Sequence, residues 1–145
     1  MSKITVERFN EIIRDELPWA HEMGMCADFI TCGEAALHMP FDDSMVRPGG
    51  TIAGPFMMAL SDAAMYAVVL SVIGEMRLAV TTSFNINFLH RPVPANLLAK
   101  GRVLKTGKRL VVSDVTVLSE GHGEAVAHAT GTYSIPPQQK YGTII

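Results

Sequence analysis

Two kinds of hydrophobic pattern divide this chain. From Phe56 to Ile73 apolar residues occur at almost every position, with no alternation and a single charge, which is typical of a helix buried on all sides. Beyond Arg77, apolar and polar residues alternate in short runs that end at turn residues, which indicates β-strands. The pattern therefore predicts one long buried helix followed by a mainly antiparallel sheet.

The same pattern predicts the other elements and their bounds. It gives a short amphipathic helix at 6–17 that ends at Pro18, strands at 25–32 and 35–39, a polar loop at 40–50, the long helix at 55–73, strands at 77–89, 97–104, 110–119 and 124–135, and a loosely held tail at 136–145. Consecutive strands joined by short turns favour an antiparallel sheet, whose apolar face needs a cover. We expect an α+β fold in which the sheet wraps the long helix.

Length and composition narrow the function. A chain of 145 residues suits a single domain, with its core at about 25–135. Hydrophobic residues make up 48% and charged residues 18%, which favours a further buried surface such as a subunit interface. The net charge is −2 and the only basic cluster is short, at 105–109. We therefore expect no nucleic-acid partner.

The sequence also predicts a cytoplasmic protein that does not enter a membrane. The polar, amphipathic N-terminal residues do not have the pattern of a secretory signal. The apolar run at 52–73 approaches membrane-spanning length, but Asp62 lies near its middle and many of its residues are small. Cys26 and Cys32 lack the spacing of a metal site and are expected to be reduced thiols. We expect no metal and no redox cofactor.

Asp62, the one charge in the apolar run, is the first candidate for chemistry. Burying an unpaired carboxylate is unfavourable, so such a residue has either a partner or a function. Gly54 can cap the helix and Pro55 suits its first position. The free amides at a helix start can hold an oxygen that gains negative charge. These two features suffice for acyl transfer, although a structural acid and a simple capping glycine explain them too.

The spacing of Gly54 and Asp62 predicts a dimer if both act in one site. Eight residues of helix separate them by roughly 12 Å, at a rise of about 1.5 Å per residue. A reacting atom must lie about 3 Å from each group, so one copy of the chain cannot supply both. Two copies related by a two-fold axis would form two such sites.

Several motifs together identify a family. In order they are Pro48-Gly49-Gly50-Thr51-Ile52-Ala53-Gly54 with Asp62 eight residues later, Ala79-Val80-Thr81, Asn85-Ile86-Asn87-Phe88-Leu89 with Arg91-Pro92, Gly107-Lys108-Arg109-Leu110, and Ala127-His128-Ala129-Thr130-Gly131-Thr132-Tyr133. In this set, from about 39 to 135, the chain resembles the hotdog-fold acyl-coenzyme A thioesterases, in particular the phenylacetate-pathway type. Each motif alone is weak evidence, and the ordered set is strong.

The resemblance implies hydrolysis of an acyl- or aryl-coenzyme A thioester. By it, the Gly54 N–H polarises the carbonyl, Asp62 is the nucleophile or the general base on water, and Thr81 helps to position that water. It also implies homodimers, commonly paired into tetramers, and no cofactor, because coenzyme A is part of the substrate. Ala53 and Arg47 stand where the family often has His and Asn.

Five cations are candidates for substrate binding: Arg47, Arg91, Lys105, Lys108 and Arg109. Arg91 and the three cations at 105–109 could contact the phosphates of coenzyme A, and the alternative for the hairpin cations is an ordinary solvated charge. Arg47 could bind the substrate or position its loop. Two other functions remain open. One is a non-catalytic acyl-coenzyme A binding module on the same fold. The other is a hydratase, which would need an Asp–His pair at the helix start, where this chain has Ala53.

Overall fold

The computed structural model describes residues 1–137. Within them the α-helices are α1 (Val6–Glu16), α2 (Pro18–Glu22) and α3 (Gly54–Ile73), and a 3₁₀ turn lies at Asp43–Met45. The strands are β1 (Cys26–Thr31), β2 (Glu34–Met39), β3 (Val46–Arg47), β4 (Thr51–Ile52), β5 (Val80–Phe88), β6 (Leu97–Thr106), β7 (Leu110–Ser119) and β8 (Ala125–Ser134). Most of the expected tail, at 138–145, lies outside the described residues.

Six strands form one antiparallel sheet around α3. Their order is β1-β2-β6-β7-β8-β5, and β3 and β4 form a separate small hairpin. Alternate residues of the sheet, such as Leu97, Ala99, Val115, Val117 and Ala127, are fully buried on the face that holds the helix. The predicted α+β architecture, with the sheet wrapped around one long helix, is confirmed.

The expectation that short turns join consecutive strands does not hold between β5 and β6. This strand pairs with β8, from Val80 opposite Ser134 to Phe88 opposite Ala127, while β6 pairs with β2 and β7. The connection at 89–96 is too long for a tight hairpin and contains prolines, which lack a backbone donor. It carries the chain across the sheet. As a result, β5 lies at an edge.

The helical N-terminal region also differs from the prediction. As predicted, α1 ends just before Pro18, at Glu16, but Pro18 then opens the short helix α2, which the sequence analysis missed. Proline is favoured in a first helical turn because an N–H at that position would have no acceptor within the helix. The apolar side of α1 packs as predicted, with Phe9, Ile12 and Ile13 buried.

Burial in the sheet explains the composition of α3. The helix has the length and hydropathy of a membrane span, with a mean hydropathy of 1.9 over a stretch of 18 residues. Yet 67% of that stretch is buried inside the fold. Two glycines let the sheet approach it closely. A Cβ at Gly131 would lie 2.5 Å from the Met65 sulfur, and one at Gly101 would lie 3.0 Å from Val68. Both strands can therefore pack directly against the helix.

Candidate functional site

The start of α3 presents an unused backbone donor. The helix begins at Gly54, and Ala53 is its N-cap, so the expectation that Gly54 itself is the cap is wrong by one position. The Ala53 N–H donates to the Met45 carbonyl at 2.8 Å. The Gly54 N–H has no acceptor among residues 1–137, because a first helical residue has none within its own helix. This amide is available to a ligand.

A side chain at Gly54 would crowd Phe88. A Cβ at this position would lie 3.1 Å from the Phe88 ring, which packs against the helix start from the end of β5. A cleft of about 690 Å³ opens here, and Gly54, Met57 and Phe88 are among its lining residues. The glycine therefore serves both the packing of Phe88 and the approach of a ligand to the amide.

A tight turn brings two cations to the same cleft. The Gly50 N–H donates to the Arg47 carbonyl at 3.0 Å, and Gly49 and Gly50 adopt φ angles of 100° and 80° that favour glycine. The Thr51 hydroxyl donates to the Pro92 carbonyl at 3.1 Å, next to Arg91. Arg47 and Arg91, two of the five predicted cations, line the Gly54 cleft.

Two hydroxyl groups hold the Asp62 carboxylate. The Thr81 hydroxyl donates to Oδ1 at 2.7 Å, and the Tyr133 hydroxyl donates to the same oxygen at 3.0 Å. Burial, together with the charge of Asp62, raises the pKa of Tyr133, so this hydroxyl keeps its proton and acts as a donor. The other oxygen, Oδ2, has no hydrogen bond within residues 1–137. The carboxylate is thus fixed through one oxygen while the other is free.

The structure brings Asp62 and Thr81 together, as expected for a shared site, and adds Tyr133, which the sequence analysis missed. Tyr133 is buried on β8 and its ring stacks on Tyr66, with centroids 6.1 Å apart. The only signal in the sequence was its place at the end of the motif at 127–133. No spacing rule could connect it to an acid 71 positions away.

Asp62 and Gly54 open onto different clefts of the same chain. The Asp62 cleft has a volume of about 310 Å³, and Trp19, Tyr66, Val80 and Thr81 are among its lining residues. It has no lining residue in common with the cleft at Gly54. A single chain therefore does not direct the acid and the amide at one reacting atom.

Three predicted cations lie at neither cleft. Lys105, Lys108 and Arg109 are exposed around the hairpin that joins β6 and β7. Because Ser134 pairs with both Leu110 and Val80, this hairpin lies at the end of the sheet where β5 begins. That is the Asp62 end, whereas Arg47 and Arg91 lie at the opposite, Gly54 end.

The remaining acids and histidines form no metal site in the part of the chain that the structure describes. No three His, Cys, Asp or Glu side chains in residues 1–137 lie close enough to share an ion. A polar cluster on the outer face of the sheet joins Asp114 to Arg102 at 3.0 Å and to His128 at 2.9 Å. Both oxygens of the Asp114 carboxylate therefore have a partner.

Comparison with known proteins identifies the family. The profile of the thioesterase superfamily matches residues 49–126, which include the helix start, Asp62 and Thr81. The chain belongs to the thioesterase superfamily. Its sheet and central helix are accordingly a hotdog fold, and membership supports thioester hydrolysis as the general reaction.

Individual relatives agree with this assignment. A crystal structure of a provisionally named thioesterase from Silicibacter sp. TM1040 superposes with a TM-score of 0.85 and 34% identity, covering 94% of this chain and 95% of that one. A mutant of the phenylacetic acid degradation protein PaaI from Thermus thermophilus gives a TM-score of 0.70 and 25% identity, covering 81% and 97%. A provisionally named esterase of Saccharolobus solfataricus is 28% identical, covering 91% of this chain and 86% of its own.

Proposed function

We propose that the protein hydrolyses an acyl- or aryl-coenzyme A thioester at a site shared by two subunits. The observation that carries the proposal is the Asp62 carboxylate, which lies at a cleft with Oδ1 held by two hydroxyls and Oδ2 free. Such an acid is pre-oriented to attack a carbonyl carbon or to activate water. The Gly54 amide supplies the complementary donor for the carbonyl oxygen.

The edge strand β5 supports a particular dimer. Among residues 1–137, no strand lies along one side of its backbone, and Val80 and Phe88, near its two ends, are 57% and 50% exposed. An open edge with exposed apolar side chains is a ready template for another strand. In a symmetric pair, the partner that fits best is the same strand of a second copy, in antiparallel orientation.

Such pairing would bring the Asp62 carboxylate of one subunit close to the Gly54 amide of the other. Thr81, at the start of β5, touches Asp62, while Phe88, at its end, packs against Gly54. In antiparallel pairing the start of one strand lies beside the end of the other. Asp62 of one subunit would then face the helix start of its partner, and the arrangement would occur twice in each dimer.

The reaction at this shared site follows from the two groups. The Gly54 amide and the dipole of α3 stabilise the oxyanion as the carbonyl carbon becomes tetrahedral. Asp62 Oδ2 either attacks that carbon or takes a proton from the attacking water. The carbon–sulfur bond breaks, the coenzyme A thiolate takes up a proton, and water supplies the hydroxyl of the free acid. Thr81 and Tyr133 keep the carboxylate aligned throughout.

The dimer also groups the predicted cations around one substrate. Arg47 and Arg91 line the Gly54 cleft of one subunit. The β6–β7 hairpin of the other would lie two to three strands from the paired edge, about 10–14 Å away at a strand spacing of about 4.8 Å. Coenzyme A carries its phosphates far from its thiol, so these cations can hold the nucleotide while the thioester reaches Asp62.

Thiol release tests the function directly. The protein is incubated with a panel of coenzyme A thioesters and a thiol reagent, and binding is measured in parallel by calorimetry. We expect catalytic release of coenzyme A from at least one thioester. Binding without release would reject hydrolysis and favour the non-catalytic acyl-coenzyme A module instead.

Mixed oligomers test the shared site. Asp62→Asn and Gly54→Val should each be inactive alone, the second because its side chain would collide with Phe88 and block the cleft. The two variants are then mixed in equal amounts, unfolded and refolded together. Random pairing makes half of the dimers mixed, and each mixed dimer has one intact site. We expect activity to return to about a quarter of the wild-type value.

A control refolds each variant alone, and neither should regain activity. If the mixture stays as inactive as its components although mixed dimers are detected by mass spectrometry, each subunit must build its own site. The shared site would then be rejected, independently of whether the wild-type protein hydrolyses thioesters.

A further inference from the structure

The start of α3 offers a ligand a single backbone donor. The Gly54 N–H has no acceptor within residues 1–137. The next residue, Pro55, has no N–H, and the Phe56 N–H donates back to the Ala53 carbonyl at 3.2 Å. The Ala53 N–H is itself taken by the Met45 carbonyl. Beyond this turn the amides donate to carbonyls of their own helix.

One donor is fewer than an oxyanion-binding site commonly uses. Such sites combine backbone amides with further amides or with side-chain donors, all aimed at the oxygen on which charge develops. In this chain the next donor would therefore come from a side chain at the same cleft. Four lining residues carry a polar hydrogen on the side chain: Arg47, Thr51, His90 and Arg91.

Two of these four side chains are already engaged. The Thr51 hydroxyl donates to a backbone carbonyl at 3.1 Å, and His90 Nε2 lies 3.3 Å from the carboxylate of Glu124. In contrast, the guanidinium groups of Arg47 and Arg91 have no acidic partner within residues 1–137. No Asp or Glu lines the cleft either. The two arginines are thus the available donors.

Of the two, Arg47 is tied to the start of the helix. It lies opposite Thr51 in the β3–β4 hairpin, and paired residues of an antiparallel ladder project to the same face. Thr51 is only three residues before Gly54, where α3 begins. Arg91 also lines an adjoining groove at the turn between β7 and β8, where it can meet a group farther from the reacting carbon.

The backbone that carries Arg47 is held at both ends. The Gly50 N–H donates to the Arg47 carbonyl at 3.0 Å. On the other side, the Ala53 N–H donates to the Met45 carbonyl at 2.8 Å and so links the hairpin to the helix start. A donor at a reacting centre needs such a fixed base, because misplacement weakens its hydrogen bond.

A guanidinium suits an oxygen that becomes negative during the reaction. Its charge-assisted hydrogen bonds are roughly twice as strong as neutral ones. The carbonyl electron pair moves onto the oxygen as the tetrahedral adduct forms and returns as the carbon–sulfur bond breaks, and the guanidinium keeps all its protons. Because the negative charge exists only in the adduct, this contact favours the transition state over the bound substrate.

We propose that Arg47 is a catalytic residue, whose guanidinium joins the Gly54 amide as the second donor to the thioester carbonyl oxygen. The inference rests on the proposed thioester hydrolysis and adds a residue and its role. It gives this chain a charged donor at the position where the family often has Asn. Two measurements test it, and one of them does not require turnover.

A substrate without phosphates separates the reacting carbonyl from the nucleotide as the partner of Arg47. Arg47→Ala is assayed with two thioesters of the same acyl group, one of coenzyme A and one of N-acetylcysteamine, which has no phosphate. We expect kcat/KM to fall about a hundredfold with both, the effect of removing one oxyanion donor. With the coenzyme A thioester the loss should lie mainly in kcat. A loss confined to the coenzyme A thioester, or no loss, would overturn the inference.

Arg14→Ala is the matched control. Arg14 is an exposed arginine on α1 that pairs with Asp15 and lines neither the Gly54 cleft nor the Asp62 cleft. It should keep the wild-type rate with both substrates. Arg47 is exposed as well, so the melting temperature of Arg47→Ala should match that of wild type. Arg47→Lys, which keeps the charge on a different head group, should recover part of the rate.

Infrared spectroscopy gives the measurement without turnover, because hydrogen bonds to a carbonyl oxygen lower its stretching frequency. Phenylacetyl-coenzyme A with a ¹³C-labelled carbonyl is bound to Asp62→Asn and to the double variant Asp62→Asn/Arg47→Ala. We expect a shift to lower frequency in the first complex. The shift should shrink by at least about half in the second, since the charged donor forms the stronger of the two hydrogen bonds. Equal shifts would overturn the inference.

The outcomes distinguish the role of Arg47 from the proposed function. Hydrolysis by the wild-type protein with a carbonyl shift that does not depend on Arg47 leaves the function standing and rejects the inference. A shift that depends on Arg47, without hydrolysis, supports the contact with the carbonyl and rejects the enzyme. If no thioester binds, both are rejected.

Discussion

The Asp62→Asn variant should lose at least about a thousandfold in kcat, the size of effect that general base or nucleophilic catalysis by a carboxylate contributes. The amide has nearly the same shape and its oxygen can still accept hydrogen bonds from Thr81 and Tyr133, so the fold and the oligomer should persist. Because the free oxygen acts on the reacting atoms, KM should change little. The measurement is thiol release under saturating thioester, with the oligomeric state followed by light scattering.

Asp28→Asn is the matched acid-to-amide control. Asp28 pairs with His38 at 2.8 Å and lines neither the Gly54 cleft nor the Asp62 cleft. Its kcat should stay at the wild-type value. If Asp62→Asn keeps kcat within about tenfold of wild type, a role in the chemical step is excluded.

The second large effect concerns the two hydroxyls that hold the acid. Thr81→Val and Tyr133→Phe each remove one donor to Asp62 Oδ1 while preserving side-chain volume. The double variant should lose about a hundredfold in kcat, because a small misplacement of a reacting group has effects of that order. The two single losses should not combine independently, since both donors act on the same oxygen.

A purely structural role for these hydroxyls would give a different result. Loss of packing would lower the melting temperature, and activity would return under conditions that restore folding. If the hydroxyls position Asp62, kcat should fall at temperatures well below unfolding while KM changes little. Thr81→Ser, which keeps a hydroxyl, should retain most of the activity that Thr81→Val loses. A double variant with wild-type kcat would contradict the role of both donors.

The sequence predicted the central helix and its acid well, because both are local features. The apolar run of α3 can fold in only a few ways. A single acid within such a run can be recognised from the sequence alone. The strand bounds from Leu97 to Ser134 were also close, since alternation and glycine-containing turns are local signals. The starting residue of α3 was wrong by one, an ordinary uncertainty at helix ends.

The features that were missed depend on contacts between distant segments. The place of β5 beside β8 is decided by which strands compete for an edge, and no period in the sequence records that competition. Tyr133 reaches Asp62 only through this pairing. The association of Asp62 with Thr81 was available only through family resemblance.

The position of α3 in the chain has a consequence for synthesis. Three of the strands that bury this helix, β6, β7 and β8, follow it in sequence. The ribosome makes them at roughly 5–20 residues per second. For on the order of several seconds, α3 is therefore without the strands that bury it, although it is as hydrophobic as a membrane-spanning helix. We therefore expect truncations between Ile73 and Ser134 to favour aggregation or mistargeting over folding.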